Sequence, residues 1–423
     1  MLIRTPKIVH NNSRFIIYNY IYFLLWPFFS LINSIRNFNL KSSKIFILLF
    51  CSLYGYTFIF VQTSDSVYYA TAFLKISHLN FNQFIDFIQN PDSDIGSSID
   101  FVIPFFCFLL SRFTDNYHIL YALFALLYSI VYISSINIMY RIYTHNKSLN
   151  TLLYFIFFIL INPPSNINGV RFWLATWVFF YGAYYVVVYN KYIYLILTIF
   201  SVFIHFSFVS VNILLFMFIL LGTKNYIYYI LLFISFVLPN IIYTYIEYFL
   251  SFTSPSFSKR VSVYSDTHLS YLSSFQGSSD SSTLLVLSYL GLTLFYYVIL
   301  ASGFQFFSGR SKCINNTDSR LYSFLILLLS FVNFLSVVPS GSRFKTLFLL
   351  FAFAYLLISN SRMEKKHLYY INYFGIIELI IYLVITLRFV SESLDLFIFF
   401  PLALLGSYYS IQIPANILFR WLH

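Results

Sequence analysis

The chain has 423 residues, of which 60% are hydrophobic and 9% charged, with a mean hydropathy of +0.78. That balance excludes a soluble globule and leaves a polytopic membrane protein. The net charge of +11 belongs to loop lysines and arginines that set topology, not to nucleic-acid binding, because no basic patch interleaved with aromatics lies outside the apolar runs.

Lipid requires backbone hydrogen bonds to close within the segment, and the apolar runs are continuous instead of alternating with period two, so an all-α bundle is expected. A span needs about 20 apolar residues. By that measure the candidate segments are 15–35, 44–62, 117–140, 151–165, 170–189, 192–221, 226–250, 283–307, 321–338, 344–358, 369–390 and 397–413, about 11–13 in all when short segments are allowed for. The first run is too long for a signal-peptide core and has no small-residue cleavage site, so it is expected to stay as a span. Without an internal repeat, linker or soluble insert, residues 1–423 are expected to form a single membrane domain. Cys51, Cys107 and Cys313 are scattered and have neither zinc nor disulfide spacing.

Basic loops on the cytoplasmic side give one orientation. Arg36, Lys41, Lys44, Arg141, Lys147, Lys191, Lys224, Arg310, Lys312, Arg320, Arg362, Lys365, Lys366 and Arg420 then face inward, and two long external loops follow, about 63–116 and 251–282. Arg4, Lys7 and Arg14 contradict this scheme if 15–35 crosses once. In the first loop, Phe101 to Phe113 is apolar but short for a span, which suits a re-entrant or interface-lying helix. The run 192–221 is too long for one upright span and is flanked by Lys191 and Lys224. It is expected to enter and return as two half-helices that meet near His205, a construction tolerated at depth where it lines a cavity.

Nucleotide-binding glycine loops, zinc-protease and serine-hydrolase motifs are all missing from the sequence. What stands out is a set of polar residues: Asp65 in QTSDSVYY, Asp100 in SSIDFVIP, Arg171 after Asn168 and Gly169, His205 inside an uncharged run, and Arg343 in VVPSGSRFKTL. An arginine in lipid costs about 2.5–3.5 kcal/mol on insertion scales, so it faces a partner or a protein-lined cavity. At a helix start it joins free backbone donors and the positive dipole end, a combination suited to phosphate. Tyr68 and Tyr69 offer amphipathic rings of the kind that line sugar clefts. Glu378 is an intramembrane carboxylate that is not spaced to pair with Arg388. Two arginines with acids and a histidine suit a diphosphate-bearing lipid, the arginines on phosphate and an acid or the histidine serving a hydroxyl that reacts.

The order Asp-x-x-Tyr (Asp65, Tyr68), Asp100, Asn-Gly-x-Arg followed by Leu-Ala (Asn168, Gly169, Arg171, Leu174, Ala175), Lys191, His-x-Ser (His205, Ser207) and a late Arg343 resembles the EpsG family and, more broadly, the Wzy-type O-antigen polymerases. The sequence departs from that pattern at Asp100, where the family more often has Glu followed closely by Pro; here Pro104 comes four residues on. The resemblance implies a GT-C-like membrane bundle in the bacterial inner membrane. It would join repeat units carried on undecaprenyl diphosphate at the periplasmic face, without metal or cofactor. Donor and acceptor are then both undecaprenyl-diphosphate-linked glycans, with membrane lipids and a chain-length regulator as further partners, and no nucleic acid. In these terms Arg171 and Arg343 bind the donor diphosphate, and His205 completes the phosphate site or moves a proton. Asp65 is the first choice of base and Asp100 the second, while Tyr68, Tyr69 and Asn168 contact sugar. Two competitors remain open, a flippase for the same lipid-linked substrate and a membrane acyltransferase that modifies the glycan.

Overall fold

The computed structural model describes residues 13–60, 65–89, 100–237, 293–305, 316–335, 341–362, 369–404 and 414. These residues are helical apart from short connections and an isolated bridge between Asp395 and Pro414, as expected where apolar surroundings force the backbone to satisfy itself. Five helical stretches among them are long and apolar enough to cross a membrane: Tyr117–His145, Leu149–Tyr189, Thr317–Leu335, Gly341–Asn360 and Ile371–Ser393. The external loop 251–282, the basic residues Arg4, Lys7, Arg310, Lys312, Lys365, Lys366 and Arg420, and Cys313 lie outside the described residues. The chain divides into two compact units. One comprises residues 1–134, 164–174 and 387–423, the other 135–163 and 175–386.

The first unit corrects the reading of 15–35 as one span. Helix α1 (Ser13–Leu25) stops at Trp26, and Pro27 starts α2 (Pro27–Arg36), because proline has no N–H to continue α1 but suits a first helical position. The two helices double back on each other. Buried Asn19 donates to Ser34 Oγ at 2.7 Å and accepts from Asn33 Nδ2 at 3.1 Å, while Ser30 Oγ donates to the Asn19 carbonyl at 3.2 Å. Arg14 and Arg36 therefore sit at the same end of a hairpin. Its tip is held by residues 396–404. Trp26 Nε1 donates to the Phe399 carbonyl and Leu402 N–H to the Leu25 carbonyl, each at 2.7 Å. Residues 397–404 are thus a 3-10 turn with a capping strap, not the start of the span expected over 397–413; 405–413 lie outside the described residues.

Three short helices follow in this unit: α4 (Asp65–Ser77), α5 (Phe81–Gln89) and α6 (Val102–Ser111). With 10 residues, α6 is about 15 Å long, too short to span. Arg112 locks α6 to α4. Its guanidinium stacks over Phe108 at 4.6 Å and donates to the carbonyls of Ile76 and Ser77 at 3.1 and 3.0 Å, so a cation completes the C-terminal end of α4. Helix α3 (Lys41–Tyr56) meets α7 (Tyr117–His145) where Gly55 lies against the Tyr121 backbone; a Cβ there would collide with the Tyr121 carbonyl.

In the second unit, the helix Phe344–Arg362 is apolar all round from Leu347 to Ile358, and every residue from Leu347 to Asn360 is buried, the pattern of a central helix. Phe353 stacks on Phe157 of α8 (Leu149–Leu160), Phe351 meets Phe180 of α9 (Val170–Tyr189), and Phe348 meets Phe295 of the helix Thr293–Gln305. The helix Tyr369–Ser393 has a different character. Phe374, Ile377, Ile380 and Val384 are exposed, whereas Glu378 is buried and accepts from Thr293 Oγ1 at 3.0 Å.

The run 192–221 breaks where expected. Helix α10 (Leu195–Ile204) ends at His205, whose backbone is extended, and α11 (Phe208–Leu221) starts three residues later. Asn212 of α11 donates to the Thr198 carbonyl of α10 at 2.8 Å, so these half-helices also fold back on each other, and Lys191 and Lys224 come to one end.

Candidate functional site

In the first unit, residues one hundred positions apart meet at the starts of α4 and α9. The first N–H groups of a helix have no partner within it and need acceptors from elsewhere. The Ser66 N–H donates to Asn168 Oδ1 at 3.1 Å. Asn168 thus acts as a cap supplied in trans. Gly169 leaves room for the Trp173 indole, whose Nε1 a Cβ would meet at 3.1 Å, and lies beside Asp65, whose Oδ2 it would meet at an ordinary 3.6 Å. The Asp65 residue itself is exposed at the first position of α4, where the positive end of the helix dipole favours a carboxylate.

One turn along α4, Tyr69 is 4% exposed and its hydroxyl accepts from Arg171 Nε at 2.9 Å. Tyr69 is therefore turned inward and holds the arginine, while its neighbour Tyr68, 60% exposed, is the ring open to a ligand. Arg171 Nη1 lies 3.6 Å from Asp100 Oδ2. Asp100 is buried just ahead of α6, and its burial beside a guanidinium fits a counter-ion better than a base that must reach an acceptor. Arg171 keeps about a quarter of its side chain exposed. The structure thus brings together Asp65, Tyr69, Asp100, Asn168 and Arg171. Ser66 and Trp173 were not singled out in the sequence, whereas Arg112 is readable there as a cap of the short apolar segment. A serine after Asp65 and a tryptophan one turn after Gly169 carry no distinguishing pattern, but an arginine directly after a 10-residue apolar helix is a readable cue for a cap.

His205, Ser207 and Arg343 belong to the second unit. The Ser207 N–H points to His205 Nδ1 at 3.3 Å and the Ser207 hydroxyl lies 2.8 Å from the same nitrogen. Nδ1 is thereby the acceptor, which assigns the ring proton to Nε2. Phe208 lies 6.4 Å from the His205 ring and 5.6 Å from the Phe344 ring, so His205 and Arg343 share one end of this unit. Arg343 is exposed in the 3-10 turn Gly341–Arg343 that opens the central helix, and Lys345 follows in its first turn, its ammonium 5.8 Å over Phe295. Cations at a helix N-terminus oppose the dipole. An anion bound there would offset both the dipole and the side-chain charges.

Among the described residues, no three His, Cys, Asp or Glu side chains come together as metal ligands. No protein-family model, curated protein or solved structure matches the chain.

Proposed function

We propose that the chain is an inner-membrane glycosyltransferase of the O-antigen polymerase type, joining repeat units carried on undecaprenyl diphosphate at the periplasmic face. The observation that carries this reading is the meeting of Asp65, Tyr69, Asp100, Asn168 and Arg171 at two helix starts in the first unit. Arg171 supplies the positive charge for a diphosphate leaving group, held by Tyr69 so that its remaining N–H groups are oriented before ligand arrives. Asp65, exposed beside it, is the base. The acceptor hydroxyl oxygen forms a bond to the anomeric carbon of the donor as the bond from that carbon to the diphosphate oxygen breaks. The electron pair leaves with undecaprenyl diphosphate, where Arg171 stabilises it, and the hydroxyl proton passes to the Asp65 carboxylate.

In the second unit, Arg343 is assigned the same anion-binding chemistry, on the strength of its place with Lys345 at a helix start. His205, protonated on Nε2, is a hydrogen-bond donor suited to an oxyanion. The short helix α6 lies in the outer interface in this reading. The test is chain extension by purified protein supplied with a lipid-linked repeat unit. Arg171→Ala and Arg343→Ala are each expected to stop polymer formation, and normal chain-length ladders from both variants would overturn the assignment.

A further inference from the structure

We propose that Asp100 is an internal counter-ion that the diphosphate displaces from Arg171, so that one buried carboxylate sets both how tightly the headgroup binds and how readily it leaves. The inference rests on the reading of Arg171 as the diphosphate ligand and concerns the regulation of that same site. Three observations carry it. The Arg171–Asp100 separation of 3.6 Å is longer than the roughly 2.7–2.9 Å of a short charge-assisted hydrogen bond, so the contact is an ion pair that can be exchanged. The guanidinium is held independently by Tyr69 at 2.9 Å and would stay in place when its carboxylate partner is replaced. Asp100 is 4% exposed and precedes a helix pinned to α4 by Arg112, so it remains next to the arginine and competes again when the ligand departs.

The physical case is one of competition for a single cation. A partly buried guanidinium is stabilised by a nearby counter-charge, which Asp100 supplies in the empty protein. A diphosphate brings more negative charge and more acceptors than one carboxylate, and so takes its place while repelling it. Asp100 is then a positioning residue acting through Arg171. Removing its charge takes away this competitor for the cation, and the ligand should bind more tightly and leave more slowly. A base in the same place would behave differently, since its loss would lower turnover without tightening binding.

The experiment titrates farnesyl diphosphate, a short polyprenyl diphosphate, into the full chain in nanodiscs and measures chain extension on the same samples. Asp100→Asn is expected to bind on the order of tenfold tighter than the parent and to turn over more slowly, Asp100→Glu to bind like the parent, and Arg171→Ala to lose binding. If Arg171→Ala weakens binding but Asp100→Asn binds equally or more weakly, the counter-ion role is wrong while the Arg171 reading stands. If the parent does not bind, or Arg171→Ala binds as well as the parent, the Arg171 reading itself falls. Thermal melting of each variant shows whether it folds. Should Asp100→Asn unfold, Asp100→Ser removes the same charge and carries the same expectation.

Discussion

At Arg171 the guanidinium is fixed by a phenol and faced by a carboxylate, and these two contacts do different things. The Tyr69 hydroxyl is a neutral acceptor that directs Nε without spending charge, whereas Asp100 lowers the local positive potential. Replacing Tyr69 by Phe keeps the ring, which packs edge-on to Phe124 at 6.3 Å, and removes the hydroxyl alone. A hydrogen bond to a charged group contributes about 1.5–3 kcal/mol, so Tyr69→Phe is expected to slow chain extension roughly 10- to 100-fold while leaving the melting temperature within a few degrees. Unchanged extension would show that Arg171 orients without Tyr69. The residue types at this site were readable in the sequence, since aspartates, a tyrosine pair and an arginine after Asn-Gly stand out in an apolar chain. Their division of labour was not. Whether a tyrosine faces sugar or arginine depends on one helical rotation of about 100° between neighbours, and only packing decides that Tyr68 faces outward and Tyr69 inward.

Among the elements, the two helical hairpins show where apolar patterning succeeds and where it fails. The break at His205 was legible because 192–221 exceeds the length of one span and both flanks are basic. The break at Trp26 was hidden, since 15–35 has an acceptable length and a lone Pro27 in an apolar run does not by itself end a membrane helix. The overlooked cue is Asn19, Ser30, Asn33 and Ser34: four polar residues in one run are costly facing lipid, and doubling back lets them satisfy one another. The helix 170–189 was legible to the residue because its start carries Pro, Asn and Gly and its end is followed by Asn190, which adopts positive φ. The first hairpin makes a concrete claim about sidedness. In a protein with Cys51, Cys107 and Cys313 replaced by serine, Ser13→Cys and Asn39→Cys are both expected to resist an impermeant maleimide in intact cells and to react once the cells are broken. Labelling of one from outside and the other only from inside would contradict the hairpin.

At the scale of the whole molecule, the apolar helices of the described residues supply the setting in which one guanidinium can matter. Glu378, buried and hydrogen-bonded to Thr293 on a helix with a largely exposed apolar face, has no part in the transfer reaction described above. Fold class followed from composition, because a chain with 9% charged residues has few ways to satisfy its backbone other than helices. The division into two compact units did not follow, since no linker or change in composition marks it. In the proposed orientation, with basic loops inside, Asp65 and Arg171 would lie at the outer face, where lipid-linked repeat units would meet. The most direct measurement is the banding of surface lipopolysaccharide from a strain lacking this chain. A single repeat unit on the lipid core is expected, because units would still reach the outer face and be attached but not joined; a normal ladder of long chains would contradict polymerisation, and a bare core would indicate translocation instead.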